Sequence, residues 1–378
     1  MPIKLKKSSV GVVYSPKLGE KPPGAMYPRI IRLEHNQGSN GTLLATFECY
    51  TYETPVFPIF RSEDDGVTWE LFSNVHDTKN NWGMRYQPHL FEAPQKTGTL
   101  NEGDILCAGS SIPDDMSVTQ LQLYKSTDKG ASWEYMSTIV TGGPAMVDSP
   151  VKDNERPVWE PYLCLSRDGD LVCHYSDERF NTSESFNQLL CLQVSKDGGL
   201  TWGPVSNTVA IPGGKLRPGM PIVVKLPNNK YIMVYEIVNI EGNPIYCKFS
   251  DDGVDWGDPA AHGDRLVTER GEFISGTPYV AWIPQGGPNG TVFASARKID
   301  VPEGTFMDPP YYLVNYNNGE GPWEKLDMLA PYPAARGCGY SQTMITVSGG
   351  KRFLQLVSTP VNPQLCQITC AIADIIEG

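Results

Sequence analysis

No stretch of the chain reaches the roughly 18 consecutive apolar residues that a membrane-spanning helix needs, so no transmembrane segment is expected. Basic residues are in deficit: 31 Lys and Arg stand against 43 Asp and Glu, a formal charge of -12 at pH 7. A phosphate backbone is gripped by a basic stripe that displaces its counterions; none is present, which excludes a nucleic-acid partner. The one basic cluster, Lys4, Lys6 and Lys7, falls at the N-terminus, where a solvated end is the simpler reading. Metal chemistry lacks its ligands. His35, His76, His89, His174 and His262 are scattered, none of the nine cysteines forms a CxxC or zinc-type spacing, and neither a metal nor a cofactor is expected. Cys107, Cys173, Cys191 and Cys247 lie in apolar strand patterns and read as small buried hydrophobes; the count is also compatible with one or two disulfides.

Met1-Pro2-Ile3-Lys4-Leu5 lacks the apolar core of a signal peptide. The expectation is a mature secreted form, with the cytoplasm as the alternative. Sequons at Asn40-Gly41-Thr42, Asn181-Thr182-Ser183 and Asn289-Gly290-Thr291 fit secretion, although two of them are also Asn-Gly hairpin turns. A monomer is expected.

What the chain has in abundance is turn residues, Gly 37 and Pro 32, beside 40% apolar residues. That composition suits many short strands joined tightly, an all-β class. One phrase recurs: "RSEDDGVTWE", "KSTDKGASWE" and "VSKDGGLTWG" share Ser, Asp, Gly and Trp in one register, with Trp69, Trp133 and Trp202 spaced 64 and 69 residues apart. Degraded copies place Trp256 and Trp323 a further 54 and 67 residues on. Between the tryptophans lie hairpin patterns such as "PYLCLSRDGDLVCHYSDE" and "PIVVKLPNNKYIMVYE". Four strands repeated six times predict a six-bladed β-propeller of antiparallel sheets. The last unit lacks an outer strand that the N-terminal "SSVGVVYS" would supply, closing residues 1–378 into a single domain. In the repeated turn, Ser and Asp bind backbone amides, Gly supplies a positive φ and Trp packs between sheets, so Asp64, Asp128 and Asp197 are read as structural.

Function is sought where one blade departs from the others at the ring's mouth. Aligning inner strands on their initial Pro puts Tyr27, Gln87, Glu160, Met220, Thr277 and, with Ser341 in the Pro's place, Tyr340 at equivalent positions. Counting seven residues past each second-strand turn gives Glu48, Ser110, Ser176, Glu236, Arg297 and Val357. A carboxylate behind β-branched and aromatic residues, as in "YIMVYEIV", is costly without a partner or a purpose. Taken singly, each Glu is read first as structural, a buried salt bridge or ring-closing hydrogen bond, with Arg29, Arg217, Arg297 and Arg336 as partners; as a pair on neighbouring blades they point to function. Two carboxylates facing a sugar-sized cavity are what glycosidic cleavage requires. Trp82, Tyr86, Trp159, Tyr175 and Tyr340, at or beside the mouth, offer flat faces to a sugar and are as readily explained by core packing.

The Ser-x-Asp-x-Gly-x-x-Trp turns resemble the Asp boxes of sialidase-like propellers. The whole-chain pattern, with "VWEPYL" and "VYEIV", resembles the fungal exo-arabinanases of glycoside hydrolase family 93. That resemblance implies a retaining exo-acting hydrolase that releases arabinobiose from α-1,5-linked arabinan, with Glu160 as nucleophile, Glu236 as acid/base and Tyr340 hydrogen-bonded to the nucleophile. Glu178 in "YSDERF" competes with Glu160. Two other readings stay open: an exo-sialidase, whose three substrate-gripping arginines would draw on Arg29, Arg217 and Arg336 although "YPRIIRL" departs from the Phe/Tyr-Arg-Ile-Pro motif, and a non-catalytic carbohydrate-binding propeller.

Overall fold

The computed structural model describes residues 2–145, 156–181, 185–300, 306–307, 311–332 and 338–377. Among them the chain forms no α-helix; it is built of six four-stranded antiparallel sheets. Blade one runs Ala25–Arg32, Leu43–Cys49, Phe57–Ser62 and Glu70–Val75 from the inside outwards. Blades two, three, four and five begin their inner strands at Met84, Val158, Arg217 and Tyr279. Blade six joins the two chain ends: Thr343–Val347, Arg352–Pro360 and Cys366–Glu377 are completed on the outside by Ile3–Tyr14, which pairs with the C-terminal strand from Ile3↔Glu377 to Tyr14↔Ile368. The closure expected from the short last unit is therefore present.

The second strands explain how such a ring is held. Leu43–Cys49, Ile105–Ser111 and Leu171–Asp177 are buried at every position, because both faces of each are covered by neighbouring blades. Near-continuous apolar runs result in place of an in-out alternation. The hydrophobic core is accordingly a set of layers between blades. Leu44 and Phe57 of blade one pack with Leu90 and Cys107 of blade two, whereas Val172 and Leu192 of blade three pack with Val223 and Met233 of blade four. The repeated turn adds polar fasteners to these layers. Ser126 Oγ accepts from Gly130 N (2.8 Å) and donates to Asp128 (2.8 Å), and the Trp133 indole donates to Ser73 Oγ of the preceding blade (3.1 Å), which itself donates to the Gly130 carbonyl (2.6 Å). Trp202 and Ser137 repeat that contact one blade later.

Each inner strand carries, or in blades five and six is preceded two residues earlier by, one residue with a positive φ: Tyr27 (54°), Gln87 (54°), Glu160 (62°), Met220 (60°), Thr277 (48°) and Ser341 (49°). Left-handed backbone is unfavourable for residues with a Cβ, and its six-fold recurrence marks a built-in bulge, seen as register breaks at Met26/Arg29, Tyr86/His89, Trp159/Tyr162 and Gly219/Ile222. In five blades a proline follows, so the missing N–H falls where the ladder is already interrupted. Blade six corrects the sequence alignment by one residue: Gln342 stands in the proline's place and Ser341, not Tyr340, occupies the bulge. Nothing local marks that register, because the proline that defines it elsewhere is absent. A further difference is a small sheet of Phe273–Ser275, Lys298–Asp300 and Phe306–Met307, which no repeat predicts.

Candidate active site

In blades two to five the bulge turns one amide toward the preceding blade, and a side chain of the mouth accepts it. Gln87 N donates to Glu48 Oε1 (2.9 Å), Met220 N to Glu160 Oε2 (2.8 Å) and Thr277 N to Glu236 Oε2 (2.7 Å). Gln87 Oε1 takes the Glu160 amide (3.4 Å) and the Ser110 hydroxyl (2.9 Å). The structural reading of the glutamates, as ring-closing acceptors, is thus correct as far as it goes. It accounts for one oxygen of Glu160 and of Glu236; Oε1 of each has no protein donor among the described residues.

These carboxylates meet in a cavity of about 510 Å³ at the ring's mouth, whose wall contains Glu48, Glu160, Glu178, Glu236, Arg217 and Tyr340. Tyr50, Tyr86 and Trp159 line one side, with successive ring centroids 6.2 Å apart. Four glutamates share the wall with one arginine, so the charge is negative and burial works against it. Burial raises Glu236 from 4.5 to about 7; the Thr277 amide lowers it, Glu160 raises it and Arg217 lowers it. Glu48 is likewise pushed to about 7 by burial against the Gln87 amide, the Tyr50 hydroxyl (2.8 Å) and Arg29. Burial also raises Glu160, but Arg217, the Ser176 hydroxyl (2.6 Å) and the Met220 amide all favour its anion. Burial disfavours the Arg217 cation, yet Glu178, Glu160 and Glu236 outweigh this and hold it above the usual guanidinium range. Glu178 is committed to partners, accepting from Arg217 Nη2 at 2.8 Å and from the Trp159 indole at 3.1 Å. Its neighbours Asp177 and Arg179 form a two-pronged pair, Arg179 Nε donating to Oδ1 at 3.0 Å and Nη2 to Oδ2 at 2.6 Å, that fixes this strand end.

Not every predicted residue reaches the cavity. Tyr340 does; its hydroxyl is held protonated by burial and by Glu160, Glu236 and Glu48, but no hydrogen bond joins it to Glu160, contrary to expectation. Tyr175 is fully buried, packed between blades, with its hydroxyl on Gln193 at 3.2 Å. Trp82 belongs to a loop wound around Asp77, which accepts its amide at 3.0 Å. Tyr27 and Arg29 are buried and engage each other, the guanidinium lying 4.0 Å from the Tyr27 ring and donating to Pro28 and Ser341. Arg297 donates to the Cys338 carbonyl at 3.1 Å and is not in the wall. Arg336 lies outside the described residues. Among the described residues Arg217 is the only arginine in the cavity wall, so no three-arginine grip for a substrate carboxylate is assembled there. Tyr50 was missed, although it stands two residues past Glu48, the interval at which an extended chain returns a side chain to the same face.

No sequence model of a protein family matches the chain, nor does any curated protein sequence. Solved structures do. A Penicillium chrysogenum α-L-arabinanase complexed with arabinobiose is 34% identical, covers 97% of this chain and 98% of its own, and superposes with a TM-score of 0.84. The GH93 α-L-arabinofuranosidase of Fusarium graminearum with arabinobiose is 31% identical over 97% and 98% of the two chains, TM-score 0.81. A Streptococcus pneumoniae sialidase, 10% identical over 97% of this chain and 71% of its own at a TM-score of 0.56, shares the fold alone.

Proposed function

The chain belongs to glycoside hydrolase family 93 and is a glycosidase; from that premise we propose that it cleaves α-1,5-linked L-arabinan from a chain end, with retention, releasing arabinobiose. The observation that carries the reading is the unlike setting of two carboxylates in one cavity. Glu236, with one amide donor and burial raising it to about 7, keeps a proton available near neutrality and acts as acid/base. Glu160, beside Arg217 and with hydroxyl and amide donors on Oε2, is the better stabilised anion and acts as nucleophile. Environments that separate two neighbouring carboxyls assign the acid and the base.

In the first step Glu236 gives its proton to the leaving glycosidic oxygen as a Glu160 oxygen attacks the anomeric carbon. Glu236, now ionised, removes a proton from water, which releases the sugar from Glu160. Tyr340, Glu48 and Gln87 bind sugar hydroxyls at the back of the cavity, and the aromatic side of Tyr50, Tyr86 and Trp159 stacks on sugar faces. Glu178, whose Oε1 accepts from Arg217 and from the Trp159 indole, is assigned the positioning of the Arg217 cation beside Glu160.

Linear arabinan is incubated with the protein and its products are followed by chromatography from the first minutes. Arabinobiose accumulating without intermediate oligomers supports the reading; a ladder of lengths sinks the exo mode, and no sugar release sinks the substrate. Azide rescue then separates the roles. It should give the inverted glycosyl azide with Glu160→Ala, where azide replaces the nucleophile, and the retained one with Glu236→Ala, where azide opens the glycosyl-enzyme.

A further inference from the structure

Tyr340 sits on a short turn whose anchoring is unlike that of the other cavity residues. Cys338 accepts Arg297 on its carbonyl at 3.1 Å. Gly339 donates to the Ser358 carbonyl at 2.9 Å and lies so close to Tyr332 that an added Cβ would meet the ring at 1.8 Å. Ser341 forms the bulge and accepts Arg29. The Cys338 sulfur lies 3.4 Å from that of Cys366, 28 positions along the chain, and both residues are buried. Cys366 begins the closing strand Cys366–Glu377 and donates its amide to Pro23 at 2.7 Å, beside the entry to blade one. Among the described residues no other two of the nine cysteine sulfurs are in hydrogen-bonding contact.

We propose that Cys338 and Cys366 are a cystine site, oxidised in the working protein, that ties the Tyr340 turn to the strand closing the ring. The sulfurs need approach by little more than about 1 Å to reach bonding distance, across a fixed strand and a turn already held on either side. Exchange with a small disulfide of the glutathione class makes the bond. One cysteine thiolate attacks the small disulfide and expels a thiol, and the second thiolate then attacks the mixed disulfide and expels the other. Overall two protein thiols and one small disulfide become one cystine and two small thiols, with two electrons and two protons passing to the small molecule. Either sulfur can donate to the other across this contact, so either can make the first attack, with the second cysteine in place to resolve the mixed disulfide. The remaining seven cysteines have no such neighbour, so the bond is specific.

The full chain is brought to equilibrium in a glutathione buffer of varied oxidation, then alkylated in denaturant and weighed. The expected result is seven alkylated cysteines and one cross-linked peptide joining residues 338 and 366. Reduction should then lower Tm by a few degrees, given the loop enclosed, and reduce kcat/KM on arabinan several-fold, with Tm of Cys338→Ser and Cys366→Ser indifferent to reductant. Nine alkylated cysteines under the most oxidising buffer, or a bond between other cysteines, would overturn the site; unchanged kcat/KM on reduction would overturn its hold on Tyr340. Mass and Tm need no substrate, so this inference and the arabinan reading fail separately.

Discussion

The outer turns and the central cavity use the same functional group to opposite ends. In the turns, Asp128 is solvent-facing; slight burial pushes it up, but the Ser132 hydroxyl and amide and Ser126 outweigh this and hold it below the usual range. Asp197, gripped chiefly by Thr201, is lowered to about 2. In the cavity, Glu236 and Glu48 are raised to about 7 by burial. An exposed carboxylate supplied with several donors is content as an anion and serves as a fastener; one that is buried, as Glu236 is with a single amide, retains a proton it can give away. The Ser-Asp fastener recurs in blades one to four, whereas the raised carboxyls are confined to the one cavity.

The largest break in that comparison is kinetic. Glu160→Gln and Glu236→Gln keep the shape and an acceptor oxygen for the next blade's amide but cannot attack or donate, and each should lose about 10³-fold or more in kcat/KM on linear arabinan. Asp128→Asn should stay within about twofold of the parent in kcat/KM while unfolding at lower denaturant. Equal losses in both regions would erase the distinction between them.

Next in size is a difference of sign with pH. Glu236 has a folded value raised from 4.5 to about 7, so its contribution to stability is fully present below pH 4.5 and is lost as pH rises through 7, about 3 kcal/mol in all. Glu236→Gln should therefore be more stable than the parent at pH 8 and not at pH 4, as measured by urea unfolding. Asp197 has its folded value depressed to about 2; its contribution is present above its ordinary 3.8 and is lost as pH falls through 2. A stability gain for Glu236→Gln that is independent of pH contradicts the buried, proton-retaining carboxyl.

How much of this was legible in the chain follows the same division. Blade number, hairpins and closure by the N-terminal strand could be read because each is announced by a repeated local signal, a turn phrase or an x-Pro step. Glu48, Glu160 and Glu236 were found by counting from those signals. Tyr340 was found but placed one position off, since blade six lacks the proline. Tyr175 and Trp82 were assigned to the mouth although one packs between blades and the other serves the Asp77 loop; an aromatic near a strand end carries no local mark of which face it takes. The Cys338 and Cys366 contact and the small sheet beside blade five depend on segments remote in sequence, which no period reveals.

The smallest test applies one substitution to both regions. Gly130 has φ +89° and an added Cβ would lie 2.9 Å from Leu44 Cδ1, the tip of a flexible side chain of the preceding blade. Gly130→Ala should cost about 1–2 kcal/mol for the left-handed backbone and leave kcat/KM as it was. At Gly219 the Cβ would meet Gln188 Nε2 at 2.8 Å and stand 3.7 Å from Glu236 Oε1. Gln188 holds the Pro218 carbonyl at 2.6 Å, one step from the bulge that presents Met220 N to Glu160, so moving it misaligns the nucleophile and crowds the acid. Gly219→Ala should lower kcat/KM about tenfold, as small misplacements of reacting groups do, with a smaller stability loss than Gly130→Ala. The pair gives opposite rankings in Tm and in kcat/KM if repeated turns secure the ring and the irregular residues do the chemistry; the same ranking in both assays would mean that the cavity depends on the whole ring's rigidity and not on the local packing behind Glu236.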